Sequence, residues 1–138
     1  MSTDIRFVIK GQPITKKNSQ RMVKIRSRET GKDRMIPMPS SQYKLYSQEF
    51  MWQIPYAAKK RIETPVNLKC VYFMGTKRKV DLCNLIEATC DILVDAGVLA
   101  DDNSQIVASH DGCKVLYDKE NPRVEIEISE KESQNSVF

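Results

Sequence analysis

Asp81, in the stretch VDLCNL, and the doublet Asp101-Asp102, in GVLADDNS, put three carboxylates at the two ends of one segment, and the basic run Lys77-Arg78-Lys79 leads straight into the first of them. Carboxylates that converge bind Mg²⁺, a hard cation that takes oxygen ligands and keeps several of its waters. With Lys and Arg alongside to hold a phosphate backbone, such a set suits phosphodiester hydrolysis, in which a metal polarises a phosphoryl oxygen and generates hydroxide. Taken singly, each Asp also has a plain structural use, Asp81 as a helix N-cap and the doublet as a turn. The spacing permits convergence without requiring it.

A second store of positive charge lies earlier in the chain. Between Thr15 and Arg28 the stretch TKKNSQRMVKIRSR carries Lys16, Lys17, Arg21, Lys24, Arg26 and Arg28 with no acidic residue among them. That local field can bind phosphates, although a solvated hairpin with ordinary surface charge has the same composition. The overall net charge of +4 over 138 residues is too modest to decide between them.

The elements that would position these groups follow from periodicity. DIRFVIKG alternates apolar and polar residues, the period of a half-buried strand. MVKIRS and RMIPMP, separated by a turn at Thr30-Gly31-Lys32-Asp33, predict a basic hairpin. Ser40 or Ser41 is placed to cap a helix through QYKLYSQEFMWQI, whose Tyr43, Tyr46 and Phe50 mark a buried face, and Pro55 disturbs its end. VNLKCVYFMG predicts a strand from its β-branched and aromatic content.

From Asp81 to Ala96 the apolar positions recur at helical steps, with Asp81 at the N-cap and Gly97 where the chain turns left-handed. The polar face carries Asn84, Glu87, Asp91 and Asp95, and the last two oppose the helix macrodipole. SQIVASHDG and PRVEIEIS complete the chain as strands. The expected fold is α+β: a small mixed or antiparallel sheet packed with two main helices, as one domain over residues 1–130 with a polar tail at 131–138.

Composition excludes several classes. A chain that is 41% hydrophobic has enough apolar residues for one core, no apolar run reaches the ~20 residues of a bilayer span, and MSTDIRFVIK lacks the apolar region of a signal peptide. A cytoplasmic protein is expected. Cys70, Cys83, Cys90 and Cys113 show no CxxC spacing and no nearby zinc-like histidine, so reduced thiols are expected rather than a zinc site. His110, the one histidine, reads as a turn residue before Asp-Gly.

The stretch KRKVDLCNLIEATCDILVDAGVLADDNSQIV, residues 77–107, resembles the core of the RusA family of Holliday junction resolvases. That pattern runs as a basic stretch, D-L-D-N-L, a helix with K-A and D-A-L, a glycine, then D-D and Q-V. Asp81, Leu82, Asn84, Leu85, Ala88, Asp91, Leu93, Gly97, Asp101, Asp102 and Gln105 fall in register, with weaker support from GQPITKKNSQR and the final strand.

The resemblance implies a small homodimeric α+β endonuclease, of a kind often encoded by phages or prophages. It would resolve four-way DNA junctions in recombination and repair by Mg²⁺-dependent paired nicks, with Mn²⁺ as a possible substitute. Asp81 and Asp102 would be the essential aspartates and metal ligands, with Asp101 beside them. Lys16, Lys17, Arg21, Lys77, Arg78 and Lys79 would contact DNA. Asp81 is then expected to act as both cap and ligand, one oxygen on a helix N–H and the other toward the metal.

Two positions depart from the pattern. Cys83 stands where the second aspartate of D-L-D-N belongs, and a neutral thiol is a poor Mg²⁺ ligand. Glu87 stands in place of the family lysine. Glu87 or Asp111 is a candidate for the absent carboxylate, and a buried small side chain is the plain reading of Cys83. A catalytically impaired junction-binding protein is the alternative function; a protein-interaction module with an acidic helix face is a third.

Overall fold

The computed structural model describes residues 4–16, 21–38 and 41–131, with the side chains of residues 21–23 and 36–38 outside that description. Three features anticipated above therefore lie outside the described residues: Lys17, the Ser40 cap, and the tail from residue 132 onward.

The alternating strands find each other through their apolar faces. β1 (Ile5–Lys10) buries Phe7 and Ile9, and β7 (Arg123–Glu130) buries Val124, Ile126 and Ile128. They pair antiparallel with Phe7 opposite Ile126, which places the two buried rows on one side of the sheet. β4 (Val66–Met74) covers the other edge of β7, also antiparallel, with Leu68 opposite Ile128 and Tyr72 opposite Val124.

The remaining edge of β4 is shared by two short strands. β5 (Val107–Ser109) lies parallel to its start and β6 (Lys114–Tyr117) parallel to its end, so the five-stranded sheet is mixed. β2 (Arg21–Arg26) and β3 (Asp33–Met38) form a separate antiparallel pair, the expected basic hairpin. The α+β reading holds, with two main helices on a mixed sheet.

Two strand expectations change. β6 was not anticipated, because KVLY has no buried and exposed alternation; all four residues are exposed. β5 is shorter than SQIVASHDG suggests. The Asn103 carbonyl accepts the N–H groups of both Ile106 and Val107, which holds the preceding residues in a turn.

α1 (Ser41–Gln53) buries Tyr43, Tyr46 and Phe50 against β1 and the second helix, and it ends two residues before Pro55, whose ring disfavours helix in the residue preceding it. α2 (Leu82–Asp95) buries Leu85, Ala88, Ile92 and Leu93. Its buried Thr89 hydroxyl donates to the Leu85 carbonyl at 2.9 Å and accepts from the Tyr72 hydroxyl at 2.7 Å, tying the helix to β4 without an unpaired polar group. No described helix is long and apolar enough to cross a membrane.

The end of α2 decides where the acidic loop goes. Gly97 has φ +81°, and the Val98 N–H reaches the Leu93 carbonyl while the Gly97 N–H reaches Val94, the paired bonds of a Schellman cap. Leu93 and Val98 are both buried, the apolar contact that accompanies this cap. The reversed chain is then pinned to the segment before β4. Ile62 donates to the Val98 carbonyl and accepts from the Ala100 N–H, so Asp101 follows immediately on an anchored strand-like bridge.

Candidate active site

Asp81 occupies the N-cap position of α2 with extended backbone, and its carbonyl accepts the Leu85 N–H at 3.1 Å. Its carboxylate makes no cap bond. Instead Oδ2 accepts from Nδ2 of Asn84 at 3.3 Å, so the dual role expected for this side chain reduces to a backbone cap and an exposed carboxylate.

Asn84, Glu87, Asp91 and Asp95 follow along α2 at three- and four-residue steps, one polar stripe of the helix. Asp91 lies ten residues beyond Asp81, a rise of about 15 Å. The chain reversed at Gly97 meets the stripe at that far end: Asp91, Asp95, Asp101 and Asp102 line one open groove with Lys16 from the segment after β1 and Tyr43 from α1. Asp81 does not line it. Asp102 thus returns beside the middle and end of α2.

The members of the groove differ in how far they are committed. Asp101 Oδ1 accepts the Asp102 N–H at 2.7 Å and Oδ2 accepts from Asn103 at 3.2 Å, which holds its carboxyl below the usual range. That is the turn-forming use foreseen for the doublet. Partial burial raises the Asp91 carboxyl, against the pull of Lys16, while Asp102, Glu87 and Asp95 push it further up. Burial pushes the Tyr43 hydroxyl up to about 12, with help from Asp91, Asp95 and Glu87. Asp91 thus faces several acids with Lys16 as an opposing cation, and Glu87 belongs to the same field.

Glu87 follows Cys83 by one helical turn, and both are exposed. The reading of Cys83 as a buried residue is corrected accordingly: it sits in the first turn of α2, where the side chain meets solvent. Asp111 is engaged elsewhere. Its carboxylate pairs with Lys131 at 3.1 Å, and Asn67 at the start of β4 holds its backbone on both sides, by 2.7 and 3.1 Å bonds.

Among the basic candidates, Lys16 is in the groove. Lys77 lies with Nζ 5.1 Å from the ring centroid of Tyr117 on β6, and Arg78 and Lys79 are exposed beside it. The backbone of Arg21 opens β2, and its side chain is outside the description. The hairpin is less purely basic than its sequence suggests, because Asp33 crosses from β3 to pair with Lys24 at 3.1 Å.

Asp91 is the residue that sequence reasoning passed over as a site. A signal was available: two acids at the C-terminal end of a helix, where the macrodipole disfavours them. The donor chemistry of the groove fits a hard divalent cation. Among the described residues no three acidic, cysteine or histidine side chains are gathered as a ready-made metal cage. One or two carboxylates suffice for Mg²⁺, which retains waters and takes substrate phosphate oxygens to complete its shell.

Fold and groove together define a small α+β protein with a carboxylate-lined cleft that Lys16 also lines. The chain belongs to the RusA endodeoxyribonuclease family: the family model Endodeoxyribonuclease RusA matches residues 10–129, nearly the whole chain, including both helices and the groove. Membership implies endodeoxyribonuclease activity. No curated protein matches the chain.

Proposed function

We propose that the protein is a divalent-metal-dependent, structure-specific endodeoxyribonuclease that resolves four-way DNA junctions by paired nicks, acting as a homodimer with Mg²⁺ as the ordinary ion. The observation that carries the reading is the meeting of Asp91 and Asp102 with Lys16 in one open groove of a RusA-family chain. Asp102 and Asp91 would hold the ion, with Glu87 adding charge on the same helix face. Asp81 would act from the start of α2, beside the basic run.

A bound Mg²⁺ would polarise a phosphoryl oxygen and make an attacking hydroxide available near neutral pH. The chain's own contribution is positional. Lys16 offers a cation to the phosphate at the groove, and Lys77, Arg78 and Lys79 hold the backbone where it approaches Asp81. Partial burial first, and then the neighbouring acids, raise the Asp91 carboxyl, and a carboxylate so placed would gain from a divalent counterion. Glu87 offsets in charge what Cys83 removes.

The test is a labelled synthetic four-way junction against a matched linear duplex, with Mg²⁺, with Mn²⁺ and with chelator. Metal-dependent paired nicks confined to the junction support the proposal, and Asp102→Asn and Asp81→Asn should abolish them while leaving junction binding intact. Normal cutting by either variant would remove that residue from the site. Tight junction binding with no nick under any metal would instead favour the alternative, a DNA-binding relative whose chemistry was lost with the aspartate at Cys83.

A further inference from the structure

Two thiols and the histidine meet where β4 touches the turn between β5 and β6, and a third thiol lies on α2. Cys70 is fully buried on β4, Cys90 is buried on α2, and Cys113 is half-buried at the end of the turn. The Cys113 sulfur accepts the Cys70 N–H at 3.2 Å, its own S–H donates to the Leu68 carbonyl at 3.4 Å, and it contacts both the Cys70 thiol and the His110 ring. His110 is itself fixed, its Nδ1–H donating to the Leu68 carbonyl at 2.9 Å, which identifies the protonated nitrogen because a carbonyl can only accept. Gly112, at φ +90°, lets the turn close so that the Cys113 N–H reaches the His110 carbonyl.

We propose that Cys113 is a hydroperoxide-reactive thiol that Cys70 resolves, so that mild oxidation joins the turn before β6 to β4 through a Cys70–Cys113 disulfide. The geometry separates the two roles. Cys113 meets solvent and has a histidine against its sulfur, whereas Cys70 is closed to solvent and in contact with Cys113. The electrostatics agree: the hydrogen bond from Cys70 and, beyond some opposing burial, the His110 ring draw the Cys113 thiol down to about 5, while the same contact and burial push Cys70 well up.

The chemistry balances with a hydroperoxide as oxidant. The Cys113 sulfur attacks the terminal peroxide oxygen, an S–O bond forms, the O–O bond breaks, and the alcohol or water leaves with a proton. Sulfur is oxidised to the sulfenic acid and the peroxide oxygen is reduced. The Cys70 sulfur then attacks the Cys113 sulfur; the S–S bond forms, the S–O bond breaks, and the hydroxide leaves as water with the Cys70 proton.

The proposal does not depend on nuclease activity and is tested without it. Full-length protein is treated with hydrogen peroxide, quenched with an alkylating reagent, and digested without reduction for mass spectrometry. A cross-linked peptide pair containing Cys70 and Cys113, with exposed Cys83 recovered alkylated, is the expected result. Cys70→Ser should leave Cys113 as a sulfenic acid trapped by dimedone, and Cys113→Ser should lose the fast phase of peroxide consumption. Oxidation at Cys83 first, or a Cys113→Ser protein that consumes peroxide at the parent rate, would overturn the proposal.

Discussion

Asp91 is where a helix position and, on the proposed function, a site position coincide. Its carboxyl is raised, by burial first and then by neighbouring acids against Lys16, so the folded chain holds a proton there more tightly than the unfolded chain does. A raised carboxyl contributes stability that is fully present below the unfolded value and lost as pH rises through the folded one. Asp91→Asn should therefore flatten the decline in stability on leaving the acid range and stabilise the metal-free protein at neutral pH, measured by chemical denaturation across pH. The same variant should lose most of the stabilisation that Mg²⁺ gives the parent. An unchanged pH slope would mean that Asp91 is not under this strain. Asp91 was visible in the sequence as an acid on the wrong end of a helix, but its partner was not, because Asp102 reaches it only after a reversal whose direction no periodicity records.

At the scale of elements, the reversal rests on one residue. Gly97 holds φ +81° with open space where a Cβ would stand, so substitution there meets backbone strain and no clash. Gly97→Ala should cost about 1–2 kcal/mol in denaturant titrations, the ordinary penalty of a left-handed conformation for a residue with a Cβ. It should weaken metal-linked stabilisation as well, since Asp101 and Asp102 hang from the segment that this cap directs. Loss of stability with metal linkage intact would show that the Ile62 bridge alone holds the loop. Both the helix and its glycine were legible from spacing. β1, β7 and α2 were legible for the same reason: each buries one face, and burial writes a period into the chain, while β4 was legible from its β-branched and aromatic content. β6 buries none of its residues and so leaves no period; it is a strand because β4 offers an unpaired edge, which is a property of the sheet and not of KVLY. The hairpin's charge was half legible, since a run from Thr15 to Arg28 cannot show that Asp33 returns across β3 to Lys24.

For the whole molecule, the number of clefts per chain bears on how a junction is cut. Within one chain the groove draws its carboxylates from α2 and the loop after Gly97 and its cation from the segment after β1, so each chain contributes one cleft and, on the proposed function, one nick. A four-way junction is two-fold symmetric, and two opposed strands are met most directly by two chains related by a two-fold axis. Mixed dimers test this. Parent and Asp102→Asn chains, co-expressed with different tags and purified through both, should convert a supercoiled plasmid bearing an extruded cruciform to the nicked circle, whereas the parent dimer should linearise it within one encounter. Failure to recover both tags together would remove the dimer. Linearisation by the mixed species at the parent rate would mean that one groove makes both cuts, and paired nicking would then have to come from sequential rebinding. Binding itself should fall steeply with salt for every species, because the phosphate contacts proposed for Lys16 and the Lys77–Lys79 run would release counterions whether or not the carboxylates hold an ion.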